Sequence, residues 1–501
     1  MTSYTKFAVK GVGVVFVFSI IAAFLGYLVR LMLARNLTVE EFGLFYAVFA
    51  FLGMIGIFKS LGFDKALVKF IPEFRHRNRD DLIKSSIIYV AAIELVTNSI
   101  IITAVYLFSN FLAVHFFNNS QASIILRLMA IAFFIDSFVV IVKYVLQAFK
   151  KIIYFSGIDL IRMLLIMIMI VIGFKAGYGI GSPIVAYIIT PLILLVIFSI
   201  ILFKKAFPEF FHTKILKGRQ LFKTLSEYKI NKYSMNIMLI SAGGMILGYT
   251  DIMVLTYFSG LAAVGLYSIA LPTTRVLIYF ARAIAGILIP LTSDLWVKGK
   301  KNLLKIGMEE LYKYSFIILV PAALTLFSFA DVIINIFFGS DYILAATAMR
   351  ILSIGMIFHI IYSINADFLS GIGHPHVNSK NIGLAAIFNL IGNLILIPLI
   401  GINGAAITTM MSYLMMMIYS TIKIRKFIDV RFPIIIWIKV IFIGAVFVLL
   451  TSILKRLLTL NVWIETSIVL IVSGLCYIIL LFVMDVINQK ELKNIYKRIF
   501  S

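Results

Sequence analysis

The stretch GVGVVFVFSIIAAFLGYLVRLML, residues 11–33, contains a single charged side chain, Arg30. As an α-helix it is long enough to cross about 30 Å of hydrocarbon, for which about 20 apolar residues suffice. Similar runs recur along all 501 residues, and 62% of the chain is hydrophobic while only 13% is charged. The runs are continuous, whereas the strands of a membrane β-barrel alternate between apolar and polar residues. The sequence therefore predicts an all-α integral membrane protein.

The apolar runs predict about fourteen transmembrane helices, and the charges between them predict their orientation. We place the helices at 11–33, 42–63, 85–109, 124–147, 156–175, 182–203, 234–257, 268–291, 314–337, 344–370, 381–400, 402–422, 433–454 and 464–485. The loops on one side, together with both termini, carry 32 Lys and Arg residues, and the opposite loops carry four. Because Lys and Arg near helix ends resist translocation, both termini are expected in the cytoplasm of a multi-pass cell-membrane protein.

Composition and motifs exclude several other classes of protein. The net charge of +23 follows mostly from the loop asymmetry, so membrane lipids and no nucleic acid are the expected partners. The single cysteine, Cys476, excludes an intramolecular disulfide, and the two histidines of GIGHPHVNSK (371–380) lack a third ligand, so no metal site is predicted. The outer loops are short and nearly free of acidic residues, which argues against a membrane glycosyltransferase or polymerase. We therefore expect no enzyme activity.

Helices 1–6 and 7–12 are predicted to be two copies of one unit. Leu25-Gly26-Tyr27 recurs as Leu247-Gly248-Tyr249 at a shift of 222 residues, and at the same shift FGLFYA (42–47) meets VGLYSI (264–269). Both copies start on the same side, which makes this a parallel repeat of the kind found in transporters. A binding site is then expected between the two lobes. The predicted parts are an N-lobe at 1–203, a cytoplasmic linker at 204–233, a C-lobe at 234–422, and a helix pair with a tail at 423–501.

Charged residues inside the predicted spans mark the candidate substrate site. A charge at mid-membrane costs about 2.5–3.5 kcal/mol on insertion scales, so it usually faces a wet cavity or a partner. Arg275 and Arg282 are seven residues apart in helix 8, so they lie on one stripe, about 10 Å apart. Arg282 is nearer mid-span, whereas Arg275 is within snorkelling reach of the outer interface. Arg30 in helix 1 and Asp251 in helix 7 complete the set, and Asp251 is either the ion-pair partner of an arginine or a coupling group.

A second group of intramembrane residues is interpreted as structural or ion-coupling. It consists of Glu94, Asp136, Lys143 and His359. Asp159 and Arg162 are spaced to neutralise each other on one helix. Glu94 has no such partner, so it is expected to pair with Lys143 or to carry a proton. Lys59, near the end of helix 2, is interpreted as snorkelling to the interface.

The segment RLMLARNLTVEEFGLFYAVFAFLGMIGIFKSLGFDKALVKFIPEF (30–74) resembles the polysaccharide-biosynthesis (Wzx-type) flippases of the multidrug/oligosaccharidyl-lipid/polysaccharide exporter superfamily. The resemblance covers essentially the whole chain. It implies a MATE-like pair of six-helix lobes plus a C-terminal helix pair, which carries polyprenyl-(pyro)phosphate-linked oligosaccharide to the outer leaflet by alternating access. It also implies glycosyltransferases or a glycan polymerase of the same pathway as partners. Arginines in the first and eighth helices recur in such flippases, and Arg30, Arg275 and Arg282 lie in those helices.

The residues themselves leave two transport functions to compare. Arginine stays charged and binds phosphate through two parallel donors, so a cationic cavity fits a lipid pyrophosphate. A multidrug antiporter that expels organic cations is the alternative, and it predicts an acidic or aromatic cavity instead. No cofactor is expected, and coupling to Na⁺ or H⁺ is left open.

Overall fold

The structure is a computed structural model that describes residues 3–216, 218, 220, 224, 227–458 and 460–487. Side chains are described from residue 13 onward within these ranges, except at 282, 283 and 285–287. The described residues form helices and connecting turns, without a β-strand. The all-α prediction is confirmed.

The first seven helices are α1 (Ser3–Asn36), α2 (Val39–Ile55), α3 (Phe63–His76), α4 (Asp80–His115), α5 (Gln121–Ala148), α6 (Ile152–Lys175) and α7 (Gly181–Ile201). The next five are α8 (Ile230–Phe258), α9 (Gly260–Thr274), α10 (Ile278–Val297), α11 (Lys301–Ser328) and α12 (Ala330–Phe337). The last four are α13 (Ala345–Gly371), α14 (Pro375–Ile424), α15 (Ile434–Leu457) and α16 (Val462–Val483).

Thirteen segments of the described chain are helical, long and apolar enough to cross a membrane. One of them, α14, has 50 residues and would extend for about 75 Å, which is more than twice the thickness of the hydrocarbon. It is broken at Ile400 (φ −136°, ψ 19°) and Gly401 (φ 55°, ψ −131°). The break coincides with the boundary predicted between helices 11 and 12. Counted as two crossings, α14 brings the number of spans to the predicted fourteen.

Two elements differ from the sequence prediction. The predicted loop at 64–84 contains α3, an amphipathic helix whose Phe63, Leu67, Phe70 and Phe74 are buried. Their spacing of three and four residues places them on one helical face. The predicted helix 8 is not continuous, because a 3-10 turn at Arg275–Leu277 separates α9 from α10.

The chain forms two compact units, unit 1 (Met1–Ser268) and unit 2 (Ile269–Ser501). Each has its own hydrophobic core. In unit 1, Phe70 and Phe74 of α3 belong to one buried cluster with residues of α4, α5 and α7. In unit 2, a second cluster joins residues of α11, α13, α15 and α16. The lobe and linker boundaries expected from the sequence stay a prediction.

Within unit 1 the sequence repeat brings equivalent residues together. Gly43 of α2 and Gly265 of α9 are the equivalent glycines of FGLFYA and VGLYSI. A Cβ atom on Gly43 would lie 1.9 Å from the carbonyl oxygen of Leu261, and one on Gly265 would lie 2.4 Å from that of Val39. Glycine is therefore needed at both positions for the two backbones to approach this closely.

Candidate functional site

Asp136 of α5 is the centre of an ion-pair network inside unit 1. It accepts a hydrogen bond from Nη1 of Arg162 in α6, and its Oδ2 lies 3.5 Å from Nζ of Lys59. Lys143 of α5 in turn donates to Oδ2 of Asp159 in α6 at 2.6 Å. Asp159 and Arg162, which the sequence predicts to neutralise each other within one helix, still interact electrostatically, but their direct ion-pair partners lie on α5. In each of these two ion pairs the acid lies on one helix and the base on the other, so each pair connects α5 to α6.

Glu94 of α4 is a buried acid that this network leaves without a hydrogen bond. Its exposed fraction is 1%, and neither carboxyl oxygen accepts a hydrogen bond from a described residue. The neighbouring hydroxyl of Ser137 donates instead to the carbonyl of Phe134 at 2.6 Å. Lys143, one of the partners suggested by the sequence, is engaged by Asp159. The expected Glu94–Lys143 pair is therefore not formed.

Lys59 is the residue that sequence reasoning missed. The sequence predicts that its side chain snorkels to the interface, whereas it contacts Asp136 and lines a cavity of about 260 Å³ together with Glu94. The signal was present in GIFKSLG (56–62), where two glycines flank the lysine. The backbone leaves the α-helix at the 3-10 turn Gly56–Phe58, so the Lys59 side chain points among helices instead of continuing along α2.

Arg30 of α1 is held between an aromatic ring and a backbone carbonyl. Its guanidinium carbon lies 4.4 Å from the centre of the Tyr46 ring, and Nη1 donates to the carbonyl oxygen of Ser268. Phe45 packs edge-on against Tyr46 and against Tyr187, at 5.2 and 5.6 Å between ring centres. The Tyr46 ring and the Ser268 carbonyl replace part of the hydration that the Arg30 guanidinium loses. Since arginine has five N–H donors, this arrangement leaves donors for a bound anion.

Asp251 of α8 is a buried acceptor close to the same part of α9. It is 3% exposed, and its Oδ2 accepts a hydrogen bond of 2.5 Å from the hydroxyl of Tyr267, which is fully buried. Tyr267 and Ser268 are consecutive, so one turn of α9 contacts both Arg30 and Asp251. The structure thus brings these two candidate residues to one region of unit 1.

In unit 2, Arg275 lies in the 3-10 turn between α9 and α10, close enough to His359 of α13 to interact with it electrostatically. The His359 ring packs against Tyr413 and Tyr362, with ring centres 4.4 and 5.9 Å away. Its Nδ1 is buried and has no hydrogen-bond partner among the described residues. The remaining candidate, Arg282, belongs to α10, but its side chain lies outside the described residues. Among the described residues, no group of three or more His, Cys, Asp or Glu is placed to hold a metal ion.

The family model for polysaccharide biosynthesis proteins matches residues 8–296, more than half of the chain. The chain belongs to this family. The uncharacterized membrane protein MJ1068 of Methanocaldococcus jannaschii is 35% identical over 511 residues, with both chains fully covered. The probable low-salt glycan biosynthesis flippase Agl15 of Haloferax volcanii is 26% identical over 207 residues, which cover 41% of this chain and 43% of Agl15. The resemblance to polysaccharide-biosynthesis flippases is confirmed.

Solved transporter structures share the fold of this family member. The lipid II flippase MurJ in an inward closed conformation has a TM-score of 0.68 at 16% identity, with 93% of this chain and 97% of MurJ covered. An inward-facing multidrug MATE transporter of the MOP superfamily has a TM-score of 0.70 at 14% identity, with 81% and 94% covered. At these identities the likeness shows the fold alone. It confirms the MATE-like, multi-pass membrane architecture.

Proposed function

We propose that the protein moves polyprenyl-(pyro)phosphate-linked oligosaccharide from the cytoplasmic to the outer leaflet by alternating access, for the synthesis of a surface polysaccharide or glycan. The observation that carries the proposal is the family match over residues 8–296. The printed names of Agl15, a probable glycan biosynthesis flippase, and of MurJ, a lipid II flippase, support it. The protein then acts as a transporter of the cell membrane, with both termini in the cytoplasm and with glycosyltransferases or a glycan polymerase as pathway partners.

The chemistry of the candidate residues supports an anionic substrate. Arg30, Arg275 and Arg282 would bind the phosphate or pyrophosphate of the lipid, because guanidinium groups stay charged when they are removed from water. Asp251 would keep the neighbouring part of α9 in place through Tyr267. A membrane potential that is negative inside favours outward movement of the anion by about 2.3 kcal/mol per charge per 100 mV. No nucleotide is needed for that driving force.

A multidrug antiporter is the second candidate, because a MATE transporter has the same fold. It is not favoured by the residues. An organic cation would be repelled by Arg30 and Arg275, whereas Asp251, an intramembrane acid that could attract it, is engaged by Tyr267. The family match also lies with polysaccharide biosynthesis.

The proposal is tested by depleting the protein from its cells and measuring which leaflet holds the lipid-linked saccharide. Accumulation on the cytoplasmic face is expected, and re-expression of the wild-type chain should clear it. The Arg282→Ala variant should fail to clear it, the Arg282→Lys variant should clear part of it, and Arg456→Ala, at the exposed end of α15, should act as wild type. An unchanged glycolipid distribution together with altered drug sensitivity would overturn the proposal in favour of the antiporter.

A further inference from the structure

A cavity of about 260 Å³ in unit 1 is lined in part by charged residues that the proposed substrate chemistry does not use. It is lined by the turn after α2, the start of α3, and side chains of α4, α5 and α8. The charged and titratable groups that face it are Lys59, Asp64, Lys65, Glu94 and Tyr144. Asp136 adjoins it through Lys59.

Most of these charges are satisfied by neighbours. Asp64 accepts from the Ser60 hydroxyl at 2.9 Å and from the backbone N–H of Lys65 at 2.7 Å. The Lys65 ammonium donates to the Ser241 hydroxyl of α8 at 2.9 Å. Lys65 is exposed, so the cavity reaches the surface of unit 1 beside it. These contacts leave Glu94 as the acid in the lining whose carboxyl oxygens accept no hydrogen bond from a described residue.

The Glu94 residue is 1% exposed, and its carboxyl oxygens accept no hydrogen bond from a described residue. If this carboxyl group were ionised, it would lose its hydration without gaining hydrogen bonds in return, which costs free energy. The neutral acid avoids this cost. The carboxylate becomes stable at the same place only when a cation moves beside it. Proton loss from Glu94 therefore requires a mobile positive charge in the cavity.

Lys59 is placed to supply that charge. Its backbone is fixed against α4, because its carbonyl oxygen accepts from the Thr97 hydroxyl at 2.7 Å, one turn beyond Glu94. Its ammonium is only loosely paired, at 3.5 Å from Asp136. Asp136 is hydrogen-bonded to Arg162 as well, so it stays neutralised if Lys59 leaves. The flexible four-carbon stem of lysine allows the ammonium to move between two carboxylates while its backbone stays in place.

We propose that Glu94 binds a coupling proton, and that Lys59 moves from Asp136 to Glu94 when this proton leaves. In that step the O–H bond of the Glu94 carboxylic acid breaks, its proton passes to water in the cavity, and the ammonium of Lys59 neutralises the carboxylate that remains. The reverse movement restores the Lys59–Asp136 contact. Because the Lys59 backbone is held by Thr97, the exchange moves only its side chain and changes whether the ammonium ties the end of α2 to α5, through Asp136, or to α4, through Glu94.

A proton fits this site better than a sodium ion does. Sodium needs several oxygen ligands around one point, whereas a proton needs only one carboxylate. Two ammonium groups, those of Lys59 and Lys65, line the cavity and would repel a metal cation. The coupling role rests on the proposed transport function, whereas proton binding by Glu94 does not.

Proton binding is tested without substrate, by infrared difference spectroscopy of the full-length protein in lipid as the pH is varied. A protonated-carboxyl band is expected that disappears as the pH rises and is absent from Glu94→Gln. The exposed control Glu310→Gln should keep it. In Lys59→Met the band should persist at pH values at which the wild type has lost it. The same pH-dependent band in Glu94→Gln as in the wild type would overturn the proposal.

Coupling is tested in proteoliposomes that contain the lipid-linked saccharide fraction. A gradient of one pH unit is expected to raise wild-type accumulation by up to about tenfold per coupled proton, and Glu94→Gln should lose this response while Glu310→Gln keeps it. A response in Glu94→Gln equal to that of wild type, or dependence on a sodium gradient instead, would overturn the coupling role while transport stands. A titrating Glu94 band in a protein that moves no saccharide would instead refute the proposed function.

Discussion

An arginine in a membrane-spanning helix is stable only where the protein replaces part of its hydration. Arg30 meets this condition through the ring of Tyr46 and the carbonyl of Ser268, both on the protein itself. The guanidinium is thus positioned before any substrate arrives. Because its side chain is already ordered, binding an anion costs less conformational entropy.

Arg30 gives the first prediction at the level of single residues. Arg30→Ala should lower saccharide transport in proteoliposomes by about 10- to 100-fold, since one hydrogen bond to a charged group contributes about 1.5–3 kcal/mol. Arg30→Lys should give an intermediate rate, because it keeps the charge but loses the planar donors. The rates are normalised to the amount of inserted protein, with Arg456→Ala as the control. A wild-type rate in Arg30→Ala would show that this arginine is structural.

The second residue-level prediction concerns Asp136. Asp136→Asn leaves the Arg162 and Lys59 charges without their shared carboxylate, so the free energy of unfolding should fall by about 3–5 kcal/mol. Unfolding in detergent, followed by circular dichroism, measures it. The control is Asp429→Asn, because the Asp429 side chain is 85% exposed and makes a single 3.5 Å contact with the Lys305 ammonium. Its free energy of unfolding should change by no more than about 1 kcal/mol. Equal losses in both variants would contradict this.

Sequence reasoning located the charged side chains but not their partners. The cost of burying charge makes Glu94, Asp136 and Arg275 recognisable in an apolar chain. Helical periodicity, however, tells which face a residue occupies and not which helix lies opposite. For this reason the cross-pairing of α5 with α6 and the role of Lys59 emerged only from the structure.

At the level of elements, the glycine contact between α2 and α9 is a close backbone approach between equivalent parts of the repeat. Gly43→Ala would place a Cβ atom 1.9 Å from a backbone oxygen, which side-chain movement cannot relieve. We expect a clear fall in melting temperature in detergent. The control is Gly248→Ala in α8, which adds a Cβ atom with nothing within 4 Å and should not lower the melting temperature. If both variants melt as the wild type does, the close α2–α9 contact is wrong.

The helices themselves were largely predictable, because length and apolarity decide whether a segment can span a membrane. The break at Gly401 was also predictable from the end of one apolar run and the start of the next. The amphipathic α3 was not, since its basic residues made it resemble a loop. The 3-10 turn at Arg275–Leu277 was missed because nothing in the apolar pattern changes there.

At the level of the whole molecule, the loop charges predict an orientation that labelling can test. In a Cys476→Ser background, Ser340→Cys, between α12 and α13, should react with a membrane-impermeant maleimide added outside intact cells. Lys300→Cys, between α10 and α11, should react only after the membrane is opened. Both positions are exposed on the protein, so a difference in labelling reports the side of the membrane and not burial of the cysteine. The opposite pattern would invert the proposed topology.

The central claim is tested most directly with purified protein in liposomes that contain the lipid-linked saccharide fraction of its own cells. The measurement is the fraction of saccharide that becomes accessible to a membrane-impermeant glycan-reactive reagent. The account predicts that this fraction rises in vesicles with the wild-type protein, stays at the protein-free level with Arg282→Ala, and rises normally with Arg456→Ala. Equal accessibility in wild-type and protein-free vesicles, while an organic cation is transported, would contradict it.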